Sequence, residues 1–118
     1  MLKIRIEQLS EFEDGMRRDL LRRMLLYLRE YFPECCDEKE DAVLQDFVEA
    51  SLMRATELGF YFEQEVLKYL GLEVIYGAGF YNKYKWASEI LVREDLFYPE
   101  DKMEALYDVA IKHLKAEA

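Results

Sequence analysis

The chain has few of the residues that interrupt helices or cross-link a fold. Its 118 residues include two prolines, five glycines and two cysteines. So little proline and glycine argues against a turn-rich β-fold and favours long helices. The cysteines, Cys35 and Cys36, are adjacent and would bridge each other only in a strained ring. We therefore predict reduced thiols, no disulfide and a reducing compartment.

Groups that hold metals or carry out catalysis are equally scarce. The single histidine, His113, is far in sequence from the cysteine pair, whereas a structural zinc site needs about four ligands. The sequence lacks the dinucleotide-binding glycine pattern, the P-loop, the zinc-protease motif and the nucleophile elbow. The glycine pair at Gly77 and Gly79 follows a predicted helix, not the strand that a phosphate loop requires. We predict a protein that is not an enzyme and binds no metal or cofactor.

Long apolar runs and excess positive charge are also missing. No segment approaches the roughly 20 apolar residues of a membrane span, and the first residues lack a signal-peptide core. We expect a cytoplasmic protein that does not enter a membrane. The net charge is −9. Residues 1–33 hold seven basic and six acidic side chains, so the remainder carries −10. This balance argues against nucleic acid as a partner and is compatible with a basic protein or a solubilising surface.

What the chain does have is apolar periodicity: 52% of its residues are hydrophobic, many at steps of three and four. This spacing is typical of amphipathic helices and predicts five of them, at residues 7–32, 38–58, 61–76, 84–93 and 99–116. A strand competes for residues 72–76, where β-branched and aromatic side chains are concentrated. We predict an all-α fold, a compact single-domain bundle of about five helices spanning residues 1–118. The predicted core includes Leu20, Met24, Leu28, Phe47, Val66, Leu70, Trp86, Ile90, Leu106 and Ala110.

Aromatic residues are unusually frequent, at 14% of the chain. Three of them, Phe80, Tyr81 and Tyr84, follow the flexible glycines within five residues. One short helix cannot bury all three, because consecutive positions point in different directions. We predict that Phe80, Tyr81 and Tyr84 anchor a protein partner, since exposed aromatics often dominate interfaces. The alternative is that these rings pack inward and fix the loop.

Three stretches of the sequence resemble a known family. The first leads from Ile6-Glu-Gln-Leu9 through an arginine-bearing helix to Leu28-Arg-Glu-Tyr-Phe-Pro33. The second is Ala55-Thr-Glu-Leu-Gly59 with Glu63-Gln-Glu-Val66 and Tyr69-Leu70. The third comprises Gly77-Ala-Gly-Phe80, Trp86-Ala-Ser-Glu-Ile-Leu91, Lys102-Met103 and Leu106-Tyr107. Together they are similar to the short helical accessory proteins encoded in bacterial type VI secretion effector clusters, beside effector adaptor-chaperones.

This resemblance implies a partner and a role. It implies a co-chaperone or adaptor partner that helps to handle a type VI effector, or its adaptor-chaperone, before secretion. One departure concerns the turn before Trp86, which usually contains aspartate and proline in the family and here reads Tyr81-Asn-Lys-Tyr-Lys85. The alternative function is an immunity protein that blocks a cognate toxin, since strong acidity suits the basic groove of a nuclease. The sequence leaves self-association possible.

Overall fold

The structure is a computed structural model that describes residues 14–117. Its first helix, α1 (Asp14–Tyr31), carries an apolar stripe with steps of four residues. Leu20, Met24 and Leu28 on this stripe are buried, as predicted. The helix ends at Tyr31 because Pro33 disfavours helical geometry in the residue before it. The predicted helical residues 7–13 lie outside the described residues.

A short helix, α2 (Pro33–Cys36), lies in the interval 33–37 between the first two predicted helices. Proline suits the first position of a helix, where its missing N–H would have no partner. The turn is held against α1 by Arg29. Its guanidinium donates to the carbonyl oxygens of Cys36 at 3.1 Å and Lys39 at 2.8 Å, and contacts Asp41 at 2.5 Å. Helix α2 was not predicted from the sequence, because four residues are too few to show a helical period.

The next two helices, α3 (Asp41–Glu57) and α4 (Glu63–Tyr76), confirm the second and third predicted helices. Helix α4 is central, since it packs against α1, α3 and the last helix. Its Gly71 allows a close approach: a Cβ there would lie 2.8 Å from Cζ of Phe32 on the neighbouring segment. The helical interpretation of residues 72–76 is confirmed, and the strand alternative is wrong.

After α4 come a 3₁₀ turn (Phe80–Asn82), α5 (Lys85–Leu91) and α6 (Pro99–Glu117). Gly77, at φ 102°, ends α4 in a backbone conformation that side chains with a Cβ rarely adopt. Helix α6 begins at Pro99, as predicted, and packs against both α4 and α5. Leu114 on α6 is 36% exposed, because it lies near the end of the helix.

The all-α fold class is confirmed. Residues 14–117 form six helices and the 3₁₀ turn, with no strand among them, and the sixth helix is the short α2. Eight of the ten predicted core residues are buried; Phe47 and Trp86 are only partly buried and pack against the core from its edge. Within this part of the chain, no helix combines the length and apolar character needed to cross a membrane.

Candidate protein-binding surfaces

Phe80 lies at the centre of an aromatic cluster that α4, the 3₁₀ turn and α5 build together. Its ring centre is 5.8 Å from that of Tyr69, 5.9 Å from Tyr76 and 6.2 Å from Trp86. The ring is 0% exposed. We use the name aromatic cluster for the six rings of Tyr69, Tyr76, Phe80, Tyr81, Tyr84 and Trp86.

This placement corrects one predicted contact residue. Phe80 has no exposed surface to offer a partner, because its neighbours in the cluster enclose the ring. The alternative of inward packing is therefore the right one for Phe80. Tyr81 and Tyr84 are half-buried, so each keeps part of its side chain at the surface. These two tyrosines stay predicted contact residues.

A buried carboxylate holds the loop that carries Phe80. Glu73 on α4 is 1% exposed and accepts five hydrogen bonds. Ser51 and Arg54 of α3 donate at 2.5 Å and at 2.6–2.7 Å. The Tyr69 hydroxyl donates at 2.5 Å, and the backbone N–H of Gly79 at 3.1 Å. Glu73 thereby connects α3, α4 and the loop after α4.

The surroundings of Glu73 decide its charge. Burial pushes the pKa of its carboxyl upward, but hydrogen bonds from Arg54, Ser51, Tyr69 and Gly79 outweigh burial, and the net pKa is lowered. Burial, followed by the bond to Glu73, raises the pKa of the Tyr69 hydroxyl, which therefore stays protonated and donating. A carboxylate whose oxygens are already occupied by donors acts as a structural clamp.

Sequence reasoning missed Glu73, although one signal was present. Glu73 lies four residues after Tyr69 and seven after Val66, on the buried stripe of α4. An acidic residue at a core position requires a buried partner. Arg54 supplies that partner from α3, where it lies three residues after the buried Ser51.

The aromatic cluster also reaches α6. The Tyr76 hydroxyl donates to the backbone carbonyl of Ala110 at 2.6 Å. Trp86 stacks on His113, with ring centres 4.9 Å apart and planes inclined by 17°. His113 is exposed, so this stack forms the outer edge of the cluster. Tyr84, which contacts Trp86 at a ring-centre distance of 5.8 Å, belongs to the same edge.

A second group of apolar side chains lies in the loop between α5 and α6. Phe97 is 83% exposed, Val92 76% and Tyr98 58%. We call these three residues the 92–98 patch. The two rings contact each other edge to face, with centres 5.3 Å apart. Sequence reasoning did not single out this patch, because a Phe-Tyr pair directly before a helix carries no periodicity that shows which way it faces.

A groove of about 800 Å³ runs between α1 and the start of α3. Leucines form its apolar part, arginines are spaced along it, and two aspartates and a glutamine add polar atoms. We call it the arginine groove. It is lined by Gly15, Arg18, Asp19, Leu21, Arg22, Leu25, Leu26, Arg29, Asp41 and Gln45.

The structure also locates the cysteines and the possible metal ligands. Cys35 is exposed and Cys36 buried, both as free thiols. Burial, as the largest influence, raises the pKa of the Cys36 thiol, which keeps it in its less reactive protonated form. Over residues 14–117, no three histidine, cysteine, aspartate or glutamate side chains come together as a metal site would require.

Comparison with known proteins gives no match. No protein-family model, curated protein or solved structure matches the chain. The resemblance to type VI accessory proteins therefore stays an expectation. The exposed surfaces described above are the features of the molecule from which a function can be inferred.

Proposed function

We propose that this protein is a non-catalytic binding module that contacts a partner protein through the 92–98 patch. The exposure of Phe97 and Tyr98 carries the proposal, since both rings project into solvent from one loop. Fully burying a phenylalanine side chain is worth about 1.5–3 kcal/mol. Aromatic residues are enriched in the buried centres of protein interfaces. A partner that covered the patch would gain this free energy.

The loop that carries the patch is already held in place. Leu96 is half-buried against the core, directly before Phe97. Helix α5 ends directly before Val92, and α6 begins directly after Tyr98. A loop fixed in this way loses little conformational entropy on binding, which favours affinity.

Tyr81 and Tyr84 form a separate predicted contact area. Tyr84 is grouped with Trp86 and His113, near the C-terminal end of α6, whereas the 92–98 patch precedes the first residue of that helix. From Pro99 to His113 an α-helix rises about 21 Å. The two areas can therefore be tested independently with single substitutions.

The proposed partner is a type VI secretion effector or its adaptor-chaperone. The resemblance of the chain to accessory proteins of effector clusters supports this choice. The net charge of −9 favours a partner with a basic surface, because opposite charges accelerate encounter. The same acidity also supports the second candidate, an immunity protein that covers the basic substrate groove of a toxin.

The test of the patch compares two exposed aromatic residues. Wild type, Phe97→Ser and Tyr31→Ser are each used to capture proteins from the native host, and the captured partner is then purified and titrated. Tyr31 on α1 is 62% exposed and provides the matched control. We expect Phe97→Ser to weaken binding about thirtyfold, corresponding to about 2 kcal/mol, and Tyr31→Ser to have little effect. Equal affinities for all three proteins would refute the role of the patch.

Tyr81→Ala and Tyr84→Ala extend the same titration to the second area. Weakened binding with an unchanged melting temperature would assign the tyrosines to the interface. A lower melting temperature with normal binding by the folded fraction would show that they only support the cluster.

Co-expression separates the two candidate roles. An accessory protein binds the adaptor-chaperone or the transport region of the effector, and leaves cells that express the toxin domain unprotected. An immunity protein binds the toxin domain and restores growth. Growth rescue that Phe97→Ser abolishes would favour the immunity role over the accessory role.

A further inference from the structure

The arginine groove follows one continuous stripe of α1. Five of its lining residues, Gly15, Arg18, Arg22, Leu25 and Arg29, are separated by alternating steps of three and four. Such steps place side chains in a single row along a helix. The row covers 14 residue steps, or about 21 Å, which is close to four helical turns. The groove is therefore long enough for an extended or helical segment.

The other wall of the groove comes from α3. Asp41 and Gln45 lie one turn apart and face α1 across the groove. Asp41 forms an ion pair with Arg29, and this pair closes the end of the groove that lies near Arg29. The remaining length, from Gly15 to Leu26, borders solvent on its outer side, where Arg18, Arg22 and Leu26 are all exposed.

The chemistry of the groove differs from that of the whole molecule. Leu21 and Leu25 form an apolar floor, and Leu26 at 52% exposure extends it outward. Three arginines and two aspartates line it, a local positive excess in a chain of net charge −9. A complementary occupant has an apolar stripe and carries carboxylates beside it. Arginine suits this role because its guanidinium binds carboxylates in bidentate geometry.

We propose that the arginine groove docks an acidic amphipathic helix of another protein. The steps of three and four along α1 form the ridges on which a second helix packs. Leucines of the incoming helix would cover Leu25 and Leu26, and its glutamates or aspartates would pair with Arg22. This mode of recognition is the helix-in-groove type. The proposal goes beyond the 92–98 patch, because it assigns a second contact surface, formed by other side chains on α1 and α3.

The test uses two designed peptides as probes. Both are fluorescein-labelled helices of about 18 residues with leucine at steps of three and four, long enough to span most of the groove. One carries glutamates on both sides of the leucine stripe, and the other carries lysines. We expect the glutamate peptide to bind at least about tenfold more tightly, and its affinity to fall as salt is added.

Charge-matched variants locate the binding to the groove. Arg22→Glu reverses a charge within it, and Lys112→Glu reverses one on the exposed side of α6, away from both proposed surfaces. We expect Arg22→Glu to weaken binding of the glutamate peptide at least about tenfold and Lys112→Glu to leave that binding nearly unchanged. Leu26→Ser should weaken the binding of both peptides, because it removes exposed apolar surface from the floor of the groove. All three side chains are exposed, and melting temperatures verify that the variants stay folded.

Several results would overturn the proposal. Equal binding of the two peptides would show that the groove does not select acidic residues. Equal losses for Arg22→Glu and Lys112→Glu would show a general charge effect. A wild-type dimer that Arg22→Glu converts to a monomer would assign the groove to a second copy of the chain. These results are separate from those for the 92–98 patch, since none of the three patch residues lines the groove.

Discussion

The dipeptide Phe-Tyr occurs three times in the chain, and two of these pairs, Phe80-Tyr81 and Phe97-Tyr98, have opposite surroundings. Phe80 and Tyr81 lie in the 3₁₀ turn, where Phe80 is fully buried. Phe97 and Tyr98 lie before α6, where Phe97 is 83% exposed. Both pairs lie between helices, so the identity of the two residues alone does not explain the difference.

The difference comes from what holds each loop. The backbone N–H of Gly79 donates to the buried Glu73, so the loop before Phe80 is drawn toward the core. Phe97 instead follows Leu96, which is the side chain that packs against the core in the second loop. A residue that fills the inward position leaves its neighbour at the surface. Tertiary contacts, more than residue type, therefore decide which phenylalanine is buried and which one is exposed.

Phe80→Ala should show the largest effect. Removing a fully buried ring leaves a cavity among Tyr69, Tyr76 and Trp86, and we expect a loss of about 3–5 kcal/mol in the free energy of unfolding. Urea denaturation measures this loss. A change below about 0.5 kcal/mol, typical of surface positions, would remove the contrast between the two loops.

Glu73→Gln tests the contact that draws the first loop inward. The amide is similar in shape, but it leaves the guanidinium of Arg54 without its anionic partner. We expect a loss of about 1–3 kcal/mol in the free energy of unfolding, measured with urea. Glu57→Gln, at an exposed position near the end of α3, is the control and should stay within about 0.5 kcal/mol of wild type.

Acid should weaken the same clamp. The pKa of Glu73 is lower in the folded protein than the ordinary value of about 4.3, so the unfolded chain takes up a proton first as pH falls. The stabilisation by Glu73 is therefore complete above about pH 5 and declines below about pH 4.3. The difference in unfolding free energy between wild type and Glu73→Gln should shrink from neutral pH to about pH 3. A difference that is independent of pH would contradict the lowered pKa.

Phe97→Ala should have the smallest effect on stability. The ring contacts Tyr98 but is mostly surrounded by water, so we expect a change below about 0.5 kcal/mol in the free energy of unfolding. Binding should nevertheless weaken, because the exposed ring is the proposed anchor. A large loss of stability would show that the second loop is held by its aromatics in the same way as the first.

The helices were largely predictable because local signals fix them. The stripe of Leu20, Met24 and Leu28 has helical spacing, and Pro33 and Gly77 stop helices for steric reasons that depend on few neighbours. Pro99 marks the start of α6 equally well. The described parts of the predicted helices therefore agree closely with α1, α3, α4, α5 and α6.

The candidate surfaces were less predictable because they depend on contacts between distant residues. Glu73 meets Ser51 across 22 residues of sequence, and Arg23 of α1 reaches Glu63 across 40. No periodicity in one helix reveals such pairs. Phe80 was assigned to the surface because the clamp that draws its loop inward was unknown. The 92–98 patch was overlooked because no periodicity in its loop shows which side chains face outward.

The stack of Trp86 on His113 gives the protein an internal optical reporter. Trp86 is the only tryptophan and His113 the only histidine of the chain. Tryptophan emission therefore comes from a single chromophore at the junction of α5 with the end of α6. If the last turns of α6 separate locally from α5, the emission of Trp86 and the ring-current shifts of the His113 protons change before the core unfolds. Fluorescence and calorimetry on the same unlabelled sample would then distinguish fraying of this end from loss of the whole fold.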